Sequence, residues 1–454
     1  MLLSAIENLF RPKSVAVIGA STDPKKTAGR PLEFLGQFGF SGRVWPVNPR
    51  TEQIQGLRCF ASIDTLPGIP DVAIILLNPK GTLRAVKKLS ALGTKAAIVL
   101  GGGYGETGPR GLKRQLTLSK ASGPMRILGP NTIGLLNLQD RVVLSASGAI
   151  DNLNVNVGKI GIISQSGGII GSLLSRAAAK GIGLSHLVAT GNEGDLEICD
   201  ILEWMIYQPD TSVIALYLEV IREPNRFREL AKKVRQENKK LIAYKVGKSK
   251  AGQLASASHT GAMAGDDRLY DALFEQSDVI RVERFDDILD VAITLSAGKI
   301  PTRRRVGILT STGGAGALIA DQCGLVGFKI QTPTRKTAER LQSLFTHVGF
   351  SAKRNPIDLT LAGLTPDVVE GAITTLLQAT EFDVIIIIVG SSSIGNPKLI
   401  TDPVIRAVKT TEKPLLVYCS PSTPSILHRL NSAGVPTFET PESCSVSLAA
   451  LRKN

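Results

Sequence analysis

Short apolar strands that end in glycine- or serine-rich turns and run into amphipathic segments recur along the whole 454-residue chain. That alternation constrains the fold more than any other feature, because strands separated by helices are built into parallel sheets covered on both faces. Residues 14–18, 43–47, 72–77 and 96–100 read as buried strands of a unit ending near Asn137. A polar stretch, 151–158, reads as a linker to a second unit. That unit opens at 159–163 and has later strands at 213–218 and 240–246. The basic run Arg303-Arg304-Arg305, just after Pro301, marks a third, with strands at 306–310, 384–389 and 415–418. The fold class is therefore α/β, three doubly wound units that share a pattern without a close sequence repeat.

Composition narrows the function classes. At 43% hydrophobic and 20% charged residues the chain has ample apolar material for several cores, which excludes a disordered class. No apolar run approaches the roughly 18 residues of a membrane helix. The N-terminal segment carries Glu7 and lacks the basic start of a secretory signal. Cys59, Cys199, Cys323, Cys419 and Cys444 are odd in number, scattered and never paired as Cys-x-x-Cys. They argue against a disulfide framework or a metal site and for a reducing cytoplasm. The net charge of +14 reads either as solubility or as attraction to an anion such as a nucleotide or phosphate. With aromatics at 5% and no basic tract interleaved with them, nucleic acid is not the expected partner.

Ligands of such sheets gather at the carboxyl ends of strands, and four turns there stand out. In the first, Gly19, Ala20 and Ser21 precede Lys25 and Lys26. Glycine allows close backbone approach, while helix-start amides and lysines favour a phosphate. The same glycine also serves a purely structural turn, and G-x-G-x-x-G is absent, which counts against NAD. The second turn is Ser164, Gln165, Ser166, Gly167 and Gly168, and the third is Thr312, Gly313, Gly314, Ala315 and Gly316. Each aims a helix N-terminus that binds an anion or is simply capped by its own hydroxyl. In the fourth, His259 lies among Ser, Thr, Gly and Ala, in what reads as a loop. A neutral imidazole there is a competent nucleophile toward phosphorus, against the ordinary reading of a lone structural histidine.

These motifs, in this order, resemble the α subunit of NDP-forming acyl-CoA synthetases of the ADP-forming acetyl-CoA synthetase type, relatives of succinyl-CoA synthetase. The resemblance covers nearly the whole chain. It rests on Val17-Ile-Gly-Ala-Ser21, Val47-Asn-Pro49, Gly102-Gly-Tyr-Gly-Glu106, Gly129-Pro-Asn131, Ser164-Gln-Ser-Gly-Gly168, Thr190-Gly-Asn192, Tyr217-Leu-Glu219, Ser258-His-Thr-Gly261 and Asn355-Pro-Ile-Asp358. It implies a Rossmann-like CoA-binding domain over 1–140 and two flavodoxin-like ligase domains over 155–300 and 303–454. Gly19, Ala20, Ser21, Lys25 and Lys26 would then hold the CoA phosphates, and Val47, Asn48 and Pro49 its nucleotide. Asn131 would approach the acyl thioester. His259 would carry the phosphoryl group, oriented by Glu219, with Glu106 as a second acid. The turns from Ser164 and from Thr312 would flank the phosphohistidine. Thr132 stands where a cysteine is frequent, and Thr27-Ala28 interrupts a stretch that is usually richer in glycine.

Nothing in the sequence resembles an ATP-grasp domain. The implied partner is an ATP-grasp β subunit in a hetero-oligomer, holding ADP or ATP with Mg²⁺. The implied reaction interconverts acyl-CoA, ADP and phosphate with carboxylic acid, ATP and CoA. The alternative is a non-catalytic CoA-binding regulatory module, in which the histidine is characteristically replaced; here His259 is present.

Overall fold

The computed structural model describes residues 2–151, 155–260, 266–345 and 352–452. The chain forms two compact units, Met1–Arg176 with Leu184–Glu283, and Ala177–Gly183 with Arg284–Asn454. The first holds two large sheets and the second holds one.

In the first sheet the strands Arg43–Val47, Ser14–Ile18, Val72–Ile75, Ala96–Val99 and Arg126–Leu128 lie side by side in that order. All pair in parallel. The three central strands are buried at every residue, which their Val-, Ile- and Ala-rich sequences permit. Taken along the chain the order is 2-1-3-4-5, so the connections reverse between Ser14–Ile18 and Val72–Ile75, the place where such sheets bind ligands. The helices carry their own punctuation. Asn78 caps Pro79–Leu92 by accepting from the Gly81 amide, Pro79 opens it, and Gly93 at φ 91° closes it.

The second sheet repeats the order. Its parallel part runs Ile280–Val282, Lys240–Lys245, Val213–Leu218, Val157–Ser164 and Leu184–Ala189. The reversal falls between Val157–Ser164 and Val213–Leu218, where Ser164 pairs with Tyr217. A hairpin of Gly134–Asn137 and Val142–Ser145 extends this sheet, with Gly134–Asn137 antiparallel to Leu184–Ala189. The sequence gives that hairpin two short apolar runs and no helix between them, so it pairs locally instead of crossing over. The N-terminal helix Leu2–Phe10 belongs to the same unit: the Phe10 ring stacks on Trp204 at 3.8 Å.

The second unit holds the third sheet, ordered Lys329–Ile330, Arg305–Thr310, Val384–Gly390, Leu415–Ser420 and Thr437–Phe438, with Ile357–Asp358 pairing Arg305–Thr310 beyond the first. With Ile357–Asp358 left aside, the order along the chain is again 2-1-3-4-5. All five cysteines are buried and free.

Two stretches differ from their sequence reading. Of the expected linker 151–158, Val157 and Gly158 already belong to the strand Val157–Ser164. The expected loop around His259 is the last turn of a helix, Lys250–Thr260; its alanines and leucine outweigh its single internal glycine.

Candidate functional site

At the reversal point of the first sheet, Gly19 follows its strand with φ 87°. A Cβ there would lie 2.8 Å from Leu77 Cδ2 and 3.0 Å from the Leu76 carbonyl oxygen, so only glycine fits. The amides expected to cradle phosphate are partly committed. Gly19 N–H donates to Val47 O at 3.0 Å and Ser21 N–H to Ala28 O at 3.0 Å. The next helix, Arg30–Gln37, starts well after the turn. Lys25 and Lys26 are exposed beside the turn, and the Ser21 hydroxyl accepts from the Asp23 amide at 3.1 Å. Asn48 joins the turn directly, its Nδ2 donating to Ala20 O at 2.8 Å. Val47 is buried in the neighbouring strand and Pro49 is exposed. The structure thus brings the turn after Gly19 and the Val47-Asn48-Pro49 segment together.

The reversal point of the second sheet is more tightly built. Ser164 closes its turn on itself: Ser166 N–H donates to Ser164 Oγ at 3.0 Å, and Ser164 Oγ donates to Ser166 O at 2.8 Å. The helix Gly167–Lys180 begins at once, and the first amides of a helix have no intrahelical partner. Gly167 packs against Ile133, whose Cγ2 a Cβ would meet at 2.9 Å, while a Cβ on Gly168 would meet nothing. Gln165 reaches the adjacent strand end, where its Oε1 accepts from the amides of Glu219 at 2.6 Å and Val220 at 2.9 Å. Glu219 is buried immediately after Val213–Leu218.

Asn131 holds a left-handed φ of 58°, and its Nδ2 donates to Asn192 Oδ1 at 3.2 Å. Asn192 Nδ2 in turn donates to Glu106 Oε2 and, at 3.2 Å, to Gln115 Oε1. The other Glu106 oxygen accepts from the amides of Gly103 and Tyr104. Burial raises the Glu106 carboxyl, but the Asn192 amide and these N–H donors outweigh it and hold it below its usual range. A cavity of about 290 Å³ is lined by Asn131, Thr132, Gly167, Gly168 and Asn192. The Thr132 hydroxyl is committed to Ala189 O at 2.5 Å, so at this position it braces the backbone.

The helix Lys250–Thr260 packs against the turn Gly105–Thr107 that carries Glu106. The His259 side chain lies outside the described residues. In the second unit the strand Arg305–Thr310 ends in the same self-closing turn: Thr312 N–H donates to Thr310 Oγ1 at 2.9 Å and Thr310 Oγ1 to Thr312 O at 3.0 Å. Gly313 and Gly314 are exposed at the start of Gly313–Leu325, and Ala315 and Gly316 are buried behind them. Asp358 Oδ2 stands 3.3 Å from where a Gly313 Cβ would be.

Sequence reading assigned no role to Asn192, and Glu193 and Arg222 drew no notice. Asn192 sat in a motif already recognised, Thr190-Gly-Asn192. Glu193 had no local signal for its role, because the partners that tie it to the site, Gln165 and Arg222, are 28 and 29 positions away. Burial pushes its carboxyl upward against the opposing pull of Arg222, Gln165 and Thr190.

Comparison with known proteins follows the same map. The CoA binding domain family matches residues 13–137, and the succinyl-CoA ligase like flavodoxin domain family matches residues 157–295. The α subunit of acetate–CoA ligase (ADP-forming) II of Pyrococcus furiosus is 33% identical over 98% of this chain and 97% of its own. The α subunit of acetate–CoA ligase (ADP-forming) I of the same organism is 32% identical over 99% and 97%. A solved dinucleotide forming acetyl-coenzyme A synthetase 1 of Ca. Korarchaeum cryptofilum, in complex with phosphate and ADP, superposes with a TM-score of 0.88 at 30% identity, covering 99% of this chain and 97% of that one.

Proposed function

The chain belongs to the α subunits of the ADP-forming acetate–CoA ligases, and from that premise we propose how its residues divide the reaction. Lys25, Lys26 and the Ser21 hydroxyl hold the CoA phosphates, with Gly19 and Ala20 shaping the turn and Val47, Asn48 and Pro49 lining the nucleotide. The acyl thioester enters the cavity beside Asn131. Phosphate is held there by the helix start at Gly167 and Gly168, on the turn formed by Ser164, Gln165 and Ser166. Its oxygen attacks the thioester carbonyl, the C–S bond breaks, and the CoA sulfur leaves as the thiolate.

His259 then attacks phosphorus in the acyl phosphate, and the carboxylate departs. Glu219 orients the imidazole through its N–H, and Glu106 faces the same helix. Positioning and charge neutralisation, more than covalent help, are what phosphoryl transfer demands. The second unit offers an anion the same kind of helix start at Thr312, Gly313, Gly314, Ala315 and Gly316. An ATP-grasp β subunit supplies ADP with Mg²⁺, and no residue of this chain is assigned to the metal. Five free buried cysteines support a cytoplasmic site of action. With ligase subunits as relatives, the regulatory-module reading is not favoured.

One observation carries this reading: Asn192 bonds both Glu106 and Asn131 and lines the same cavity as the helix start at Gly167. The test is incubation with acetyl-CoA and radiolabelled phosphate. The chain should acquire an acid-labile, alkali-stable label, and His259→Ala should abolish it while CoA binding by calorimetry survives. Label persisting in His259→Ala refutes the assignment.

A further inference from the structure

Between the two candidate carboxylates lies a third that neither role claims. Glu193 sits in the turn after Leu184–Ala189, its side chain only 2% exposed. Its φ of 54° is left-handed, a conformation that disfavours a residue with a side chain and persists where surroundings enforce it. Four donors converge on its carboxylate. Oε1 accepts from Thr190 Oγ1 at 3.0 Å and the Ile198 amide at 3.1 Å. Oε2 accepts from Gln165 Nε2 at 2.9 Å and Arg222 Nε at 3.0 Å.

Two of these links lead to the site. Gln165 is held at both ends: its Nε2 is shared between Glu193 and Val220 O at 2.8 Å, and its Oε1 receives the amides of Glu219 and Val220. On the other side Glu193 follows Asn192, whose Nδ2 donates to Glu106. Arg222 grips both residues, reaching Asn192 O at 3.4 Å.

We propose that Glu193 is a positioning residue which, through Gln165 on one side and Asn192 on the other, sets Glu219 and Glu106 in register with each other. The proposal rests on reading those two carboxylates as the acids of the phosphohistidine site. The chemistry demands a carboxylate at 193. Four donors need acceptor lone pairs on both oxygens, and an amide has one oxygen and an NH₂ that would face donors. In Glu193→Gln the NH₂ opposes either the Gln165 and Arg222 donors or, on the Thr190 side, the Ile198 amide, because a hydroxyl can turn and accept but an N–H cannot. If the Gln165 side is opposed, the Glu219 strand end loses its clamp; if the Thr190 side is, the turn bearing Asn192 loosens. Misplacing a reacting group by about 1 Å costs up to about 100-fold in rate.

The test compares wild type with Glu193→Gln and Arg222→Gln in the full chain, measuring single-turnover labelling from acetyl-CoA and radiolabelled phosphate. Glu193→Gln should lower the maximal labelling rate by about 10- to 100-fold while the half-saturating acetyl-CoA concentration stays within about twofold. Arg222→Gln should move the rate the same way by about three- to tenfold, since one of the four donors is lost. A wild-type rate in Glu193→Gln, or a loss of acetyl-CoA affinity matching the loss of rate, overturns the proposal. If Glu193→Gln cannot be purified, Arg222→Gln decides, and wild-type labelling in it overturns the proposal. A wild-type chain that takes no label refutes the phosphohistidine reading instead. The crystal structure of Glu193→Gln then decides here: Glu219 and Val220 amides still bonded to Gln165 Oε1, and Asn192 still on Glu106, would sink it.

Discussion

His186 and His259 present the two fates of a histidine in this chain. His186 is fully buried, with Nδ1 3.1 Å from Thr211 Oγ1 and its ring edge-on to Phe10 and Trp204. Burial, helped by Arg11, pushes its pKa down to about 4 from 6.5. The folded state therefore keeps the ring neutral while the unfolded chain takes a proton. The stability this contributes is complete above pH 6.5 and is lost as pH falls through about 4. That lowering from 6.5 to about 4 amounts to roughly 3 kcal/mol. Urea unfolding of wild type and His186→Gln between pH 7 and 4 measures it: the wild type should lose stability by about that amount more than the variant. Parallel pH profiles would show that His186 does not titrate with folding. His259, set among small residues, has no comparable packing requirement in its sequence, which is why composition alone singled it out.

At the scale of elements, two devices recur. One is the self-closing hydroxyl turn before a glycine-led helix, at Ser164 and again at Thr310. It consumes the hydroxyl in shaping the turn, and helix starts of this kind are where anions bind in general. The other is glycine at a close approach. Gly134 opens the hairpin with φ 92°, and a Cβ there would lie 1.9 Å from Leu144 O. No rotamer relieves a clash with backbone, so Gly134→Ala should cost about 3 kcal/mol or more. A melting temperature within a degree of wild type would contradict the described hairpin geometry.

At the scale of the molecule, the first unit contains two sheet ends, one proposed for CoA and one for the phosphoryl group, and the third sheet has a helix start of its own. Neither the Ser164–Gly168 turn nor the Thr312–Gly316 turn carries the Lys-[Ser/Thr] ending of a Walker loop. The purified chain should therefore form the phosphorylated species from acetyl-CoA and phosphate, yet produce ATP from ADP only when an ATP-grasp β subunit is added. The full assay with and without that partner decides, and robust ATP formation by the lone chain would reveal a nucleotide site within it.

The alternation of strands and helices, the positions of the glycine- and hydroxyl-rich turns and the family were legible in the residues, because periodicity, turn chemistry and motif spacing are properties of neighbours along the chain. The strands 14–18, 43–47 and 213–218 were readable to the residue for that reason. Only the tertiary structure decided what each side chain meets. Gln165 finds the Glu219 amide 54 positions on, and Asn192 finds Glu106 86 positions back. Sheet order makes the first pair neighbours, because the reversal between the first and third strands of the second sheet brings their carboxyl ends together; Asn192 and Glu106 follow strands of two different sheets, and no local pattern records either adjacency. Glu193 is the clearest case. As one glutamate after Thr-Gly-Asn it is unremarkable, and it becomes the hub of a buried network because the second sheet places Gln165 and Arg222 around it.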